Sequence, residues 1–156
     1  MCCYCQRDTT AEFAMVLDIE HIIPKSEFLK HMFTMKNLSV SCKRCNMLIK
    51  KNDLTFLDIP LHALPRRKFR SKYYKFIHPN LDNIEEHLEL NIVRKGRVRF
   101  IKYLVQNESK KGAFTYNYFR LRELELDAAN QAQGRTKKVI RDHIAAEAFR
   151  RLVENS

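Results

Sequence analysis

The spacing of apolar positions changes along the chain, and each change predicts an element. Phe13, Met15, Val16, Leu17 and Ile19 form a dense apolar run, the pattern of a largely buried strand. It continues into Glu20-His21-Ile22-Ile23-Pro24, where proline ends the ladder by removing a donor. A loop over 25–36 leads to a second short strand at Asn37-Leu38-Ser39-Val40-Ser41, and Lys43 to Lys51 reads as a helix. Further on, Ile92 to Ile101 predicts a hairpin turning at Lys95-Gly96. Tyr116 to Gln133 and Lys137 to Val153 have helical composition, with Gly134 between them and Thr136 available as an N-cap. In the last of these Ile140, Ile144, Ala148 and Leu152 make one apolar face. There is no internal repeat.

Composition narrows the class. The chain has 156 residues, 45% of them hydrophobic, with only 3 Gly and 4 Pro. That length suits one domain or two small ones, and that balance excludes a linker or a disordered tail. No apolar run approaches the ~18 residues needed to cross a bilayer, and the first residues lack the pattern of a secretory leader. A soluble, cytoplasmic protein with no membrane partner is expected.

Charge changes the picture more than composition does. The formal net charge is +11, yet residues 1–58 hold 8 basic and 7 acidic side chains while residues 59–156 hold 21 and 11. With the character of the sequence shifting near Ile59-Pro60, two regions are expected: 1–58 and a basic region 59–156. A cationic field of this kind gathers polyanions, with nucleic acid first and an anionic membrane surface second. Within it, Pro65 to Lys75 interleaves Arg66, Arg67, Lys68, Arg70, Lys72 and Lys75 with Phe69, Tyr73 and Tyr74, and contains no acid. Such a segment either meets phosphates and stacks on bases or anchors itself to the protein by its rings.

The five cysteines carry the clearest chemistry. Cys2 and Cys5 form one C-x-x-C pair, and Cys42 and Cys45 form another. Four thiolates so spaced suit a tetrahedral structural zinc ion, a closed site with no position left for a water. Disulfides and buried thiols are the competing readings, and a reducing compartment disfavours the first. Cys3 is left over.

Between these pairs, Asp18-Ile19-Glu20-His21-Ile22-Ile23-Pro24-Lys25, then Asn37-Leu38, then Cys45-Asn46 with Lys50 beyond, resembles the HNH endonuclease family. The resemblance implies a ββα-metal fold holding one divalent cation, Mg2+ or another, within a zinc-knuckle frame. It implies His21 as the general base that deprotonates water, with Asn37 bracing the loop that presents it. Glu20 and Asn46 would be ligands of the cation, and hydrolysis would leave 5′-phosphate and 3′-hydroxyl ends. An imidazole, unperturbed near pKa 6.5, accepts a proton at neutral pH, and a hard cation is satisfied by a carboxylate and an amide oxygen among waters. Two positions depart from the pattern: Glu20 stands where aspartate is common, with Asp18 able to share its role, and Asn46 stands where the family name expects histidine. Lys50 and Lys51 are candidate phosphate contacts, with solvated helix lysines as the plain alternative.

A second resemblance covers His78 to Leu90. His78-Pro79-Asn80-Leu81-Asp82 and Glu86-His87-Leu88 are similar to a segment of bacterial HNH defence proteins, including the nuclease subunit of Septu-type antiphage systems. It implies an antiphage effector acting beside an ATPase partner. His78, Asp82 and His87 could also form a second metal site, or simply cap turns.

The expectation is therefore an α+β chain, with a small ββα-metal nuclease module at 1–58 and a mainly helical basic region with a β-hairpin at 59–156. The function implied is metal-dependent hydrolysis of DNA, with RNA open. Two other classes stay in view: a zinc-dependent nucleic-acid-binding module without catalysis, and an interaction subunit.

Overall fold

The computed structural model describes residues 1–7, 17–96 and 98–135. Strand β1, Leu17–His21, pairs antiparallel with β2, Leu38–Cys42, so that Leu17 faces Cys42 and His21 faces Leu38. The earlier part of the expected first strand, 13–16, lies outside the described residues. The second strand starts one residue later than expected because Asn37 closes a 3-10 turn, Met35–Asn37, and is buried there.

After β2 the expected helix is present as a seven-residue π-helix, Arg44–Lys50. It is held by the i to i+5 bond from Lys51 N to Asn46 O at 2.7 Å. The wider turn has a packing reason. In an α-helix residues five apart point about 140° away from each other, since each residue turns by ~100°. Here both Cys45 and Lys50 are buried, and the π geometry brings them towards the same side.

Residues 53–87 are joined by short turns, so the expected mainly helical back region is irregular before its hairpin. Phe56 to Asp58 lie beside Tyr73 to Lys75, with Asp58 N donating to Tyr73 O at 3.0 Å and Lys75 N to Phe56 O at 2.8 Å. That pairing straddles the expected boundary at residue 58, and so does the core. Tyr4 stacks on Phe119 with centroids 4.2 Å apart, and Phe56 stacks on Phe76 at 4.5 Å. The regions 1–58 and 59–156 therefore share one hydrophobic core, built from buried rings of both.

The second hairpin is longer than expected at both ends. Strand β3, Leu88–Lys95, pairs with β4, Val98–Val105, and the last pair is Lys95 with Val98. The turn opens at Gly96, whose φ of +61° is the left-handed value that glycine adopts without strain.

Two helices follow where one was expected. Helix α1, Lys110–Tyr118, is capped by Ser109, whose hydroxyl accepts from Gly112 N at 3.0 Å. Gly112 is required by close approach, since a Cβ there would run into the backbone carbonyl of His87. Helix α2, Leu121–Ala132, begins after a break in which Arg120 takes φ +50°. The break turns both Phe119 and Leu121 into the core, each fully buried. Helix α2 then packs along β4. Gly134 follows α2 with φ +71°, while Thr136 and the expected helix over 137–153 lie outside the described residues. Among the described residues the class is α+β: two antiparallel hairpins with helices. None of the described helices is long and apolar enough to cross a membrane.

Candidate active site and metal centre

The four paired cysteines converge. Cys2 and Cys5 lie in the N-terminal turn, Cys42 ends β2 and Cys45 sits in the first turn of the π-helix. The Cys3 N to Val40 O bond, 2.9 Å, ties the first knuckle to β2. All four sulfurs are buried and lie within 4.8 Å of one another, with Cys5 and Cys42 3.9 Å apart. Zinc–sulfur bonds of ~2.3 Å in a tetrahedron separate sulfurs by about 3.8 Å, so the set has the dimensions for zinc. None is in a disulfide. Hydrogen bonds from Cys3 and the other cluster thiols hold Cys2 far below the usual thiol range, and hydrogen bonds to Cys2 and its neighbours in the cluster push Cys5 and Cys45 up. A cluster whose first thiolate opposes the next is one that a cation completes. Cys3 stays outside the quartet, its thiol pushed up by burial.

The quartet also anchors distant parts of the chain. Tyr103 of β4 donates its hydroxyl to Cys5 O at 2.5 Å. Arg44, between Cys42 and Cys45, donates to Phe119 O at 2.8 Å and Arg120 O at 2.9 Å, and pairs with Glu123 at 3.0 Å. A guanidinium thus takes up carbonyls left open where α1 ends.

His21 stands at the end of β1, half-buried. Its Nε2 lies 3.1 Å from Met32 O. A carbonyl only accepts, so in the neutral ring this contact puts the proton on Nε2 and leaves Nδ1 as the acceptor. Asn37, fully buried, brackets the following loop: its Oδ1 accepts from Ile23 N at 2.8 Å, and its Nδ2 donates to Ile23 O at 3.1 Å and His31 O at 3.2 Å. One side chain thereby ties the residues just after His21 to the segment that carries Met32. Asn80 adds a brace from the back half, its Nδ2 donating to Leu38 O at 2.7 Å and Met35 O at 3.2 Å. Nothing in the sequence marks Asn80 for this, since a partner 42 positions away leaves no local pattern.

Glu20 points the other way from His21, as alternate strand residues must. It is fully buried; its Oε1 accepts from Tyr4 at 3.0 Å and pairs with Lys50 Nζ at 2.7 Å. Burial pushes its carboxyl up, against the pull of Lys50. Its Oε2 is buried and has no hydrogen-bond partner, the position of a lone pair that a cation could take. Asp18 is half-buried two residues earlier on the same face. Asn46 is half-buried on the π-helix, and its amide makes no hydrogen bond among the described residues. A carboxylate oxygen and an amide are each donors that a hard divalent cation takes, but among the described residues no hydrogen bond or ion pair joins Glu20 to Asn46, and Glu20 lies on the opposite side of β1 from His21.

Lys50 requires a correction. Its side chain is 1% exposed, and its ammonium is spent on Glu20 and on His21 O at 2.9 Å, so it does not reach a phosphate. It balances a buried carboxylate instead, and holds the backbone of His21. Lys51, by contrast, is exposed.

The basic aromatic segment lies against the same loop. Lys68 Nζ sits 4.3 Å from the ring centre of Phe28, and Phe69 meets His31 edge-on at 5.2 Å. Tyr74 is in the core. These aromatic groups anchor the segment and are taken up within the protein, while Arg66, Arg67, Arg70 and Lys72 remain exposed beside them. The second metal site is not assembled. His78 Nδ1 accepts from Asn80 N at 3.2 Å, Asp82 pairs with Lys111 at 2.6 Å, and His87 Nδ1 meets Ser109 Oγ at 2.7 Å. Among the described residues only the cysteine quartet could hold a metal through three or more Cys, His or acidic groups.

Residues 2–52 match the family model for HNH endonuclease. The match is about a third of the chain and spans both knuckles, the first hairpin and the π-helix. No curated protein and no solved structure matches the chain.

Proposed function

We propose that this protein is a metal-dependent endonuclease that hydrolyses phosphodiester bonds, with DNA as its substrate and the cytoplasm as its place of action. The observation that carries the reading is the placement of His21: its Nε2 is engaged by Met32 O, inside a segment that matches the HNH endonuclease family. Nδ1 then takes the proton of an attacking water, and Asn37 keeps the loop in place while it does so. Glu20 and Asn46 would hold a divalent cation, Mg2+ the first candidate, with Lys50 balancing the carboxylate and Asp18 in reserve. When bound there, a divalent cation would supply charge neutralisation at the phosphate and the leaving oxygen. Cys2, Cys5, Cys42 and Cys45 hold structural zinc. Arg66, Arg67, Arg70, Lys72 and the half-buried Lys68 supply positive charge beside the loop of His21.

The test is cleavage of plasmid in the presence and absence of magnesium. His21→Ala should lower the rate by roughly 10² to 10⁴ while leaving the fold and zinc content intact. Equal nicking by both proteins would remove His21 from the mechanism. Salt-sensitive binding without cleavage by either would leave a binding module.

Action beside an ATPase partner in antiphage defence rests on the likeness of residues 78–90 alone. The structure uses His78, Asn80 and Asp82 to build the turn that braces β2. Co-purification of the chain with the product of a neighbouring ATPase gene tests the partner directly.

A further inference from the structure

The β3–β4 hairpin is anchored most firmly at its base. Leu88 and Tyr103 at its base are buried, and Tyr103 is tied to the zinc knuckle. Towards the tip, Asn91, Ile92, Val93, Arg94 and Lys95 are all exposed in succession. Successive strand residues face opposite sides, so on the β3 strand neither face of the outer ribbon is covered, while Val98, Arg99 and Ile101 of β4 are half-buried.

Its charge is one-signed. Residues 90–107 contain Arg94, Lys95, Arg97, Arg99 and Lys102 and no acid; Arg97 lies outside the described residues. Lys102, nearest the base, pairs with Glu125 at 3.4 Å, whereas Arg94 and Lys95 have no acidic partner among the described residues. Arg94 stands directly opposite Arg99 in the register. Like charges in that position destabilise a ribbon unless a polyanion lies against them.

We propose that this ribbon enters the major groove of duplex DNA, with the exposed Arg94 and Lys95 as its contacts. Its two strands, about 4.8 Å apart, fit a groove ~12 Å wide, which admits a two-stranded ribbon. The A-form major groove of duplex RNA is too narrow and deep for side chains to read. The inference rests on the nuclease reading above and names the element that would grip its DNA. The Tyr103 bond and the packing of α2 on β4 keep the ribbon in a fixed relation to the zinc frame.

The test is binding, without added magnesium or chelator, of the full zinc-loaded chain and of an Arg94→Gln/Lys95→Gln variant. Both positions are exposed, so an unchanged melting temperature verifies that the variant folds. Three probes are used across a salt series: a short DNA duplex, an RNA duplex of the same sequence, and phosphatidylserine vesicles. The chain should prefer the DNA duplex, and the variant should bind it on the order of tenfold more weakly, its log–log salt slope reduced by about 1.8. Dimethyl sulfate footprints should show protection of guanine N7, which lies in the major groove, and lose it in the variant. An unchanged salt slope, equal binding of the RNA duplex, protection of adenine N3 alone, or capture by vesicles through the same two residues would each overturn the proposal. Cleavage is not read here. Groove protection by a chain that nicks nothing supports the ribbon and defeats the nuclease reading, while nicking by a chain whose variant binds identically defeats the ribbon alone.

Discussion

The molecule has two antiparallel hairpins built on the same backbone pattern and held in opposite ways. The β1–β2 hairpin has five-residue strands, and its named polar groups are tied down: His21 to Met32, Asn37 to the loop ends, Glu20 to Tyr4 and Lys50, and Cys42 to the quartet. The β3–β4 hairpin has eight-residue strands, fixed at the base and bare at the tip. Chemistry on a phosphodiester needs groups held to fractions of an ångström, which short strands gain from many long-range partners. Capture of a polymer would need charge and reach, which the exposed outer part of β3 offers.

The largest expected effect removes the metal from the first hairpin. Binding of zinc to such thiolate sites is worth ~10 to 16 kcal/mol in small zinc-finger peptides, comparable to or above the whole stability of a typical domain. Chelation under reducing conditions should therefore abolish the cooperative melting transition and expose the β1–β2 amides to exchange. A transition unmoved by loss of the metal would show that the core alone holds this hairpin.

Next in size is the buried ion pair. Lys50→Met leaves Glu20 without its cation in the core, and should cost about 3 to 5 kcal/mol in urea unfolding. The double variant Lys50→Met/Glu20→Gln should recover much of that loss. It should not recover cleavage, because the carboxylate proposed to hold the cation is gone. No stability change in Lys50→Met would mean that the pair contributes nothing to fixing β1.

The smallest effect concerns pH and the turn that braces β2. Burial lowers His78 to about 4, with Asp82 opposing the shift and Lys111 adding to it. The folded state thus keeps this ring neutral where the unfolded chain, titrating near ~6.5, takes up a proton. The contribution is complete above about 6.5 and is lost as pH falls towards 4, amounting to roughly 3 kcal/mol. Unfolding free energies measured across that window should fall less steeply in His78→Gln than in the parent. Parallel curves would remove His78 from the acid response.

Much of the first hairpin was legible because its signals are local. Paired C-x-x-C spacing predicts a tetrathiolate frame that the structure assembles, and the apolar run up to His21 with Pro24 beyond locates β1 to within its described part. The second hairpin was legible in existence but not in length, since an unbroken exposed run without period-two alternation resembles a loop. The helix expected from 116 is broken at Arg120 because Phe119 stacks on Tyr4, and no window around Phe119 contains that partner.

By itself the sequence determined which residue types could meet a metal, an attacking water or a phosphate, for these follow from side-chain chemistry and short spacings. Only the tertiary structure decided that Lys50 serves Glu20 and not a phosphate, and that Asn80 holds the strand beside the site. It also decided that the regions on either side of residue 58 share one core. Each is a pairing across tens of residues, fixed by where buried charge and unpaired backbone groups find their partners, and chain order carries no record of that.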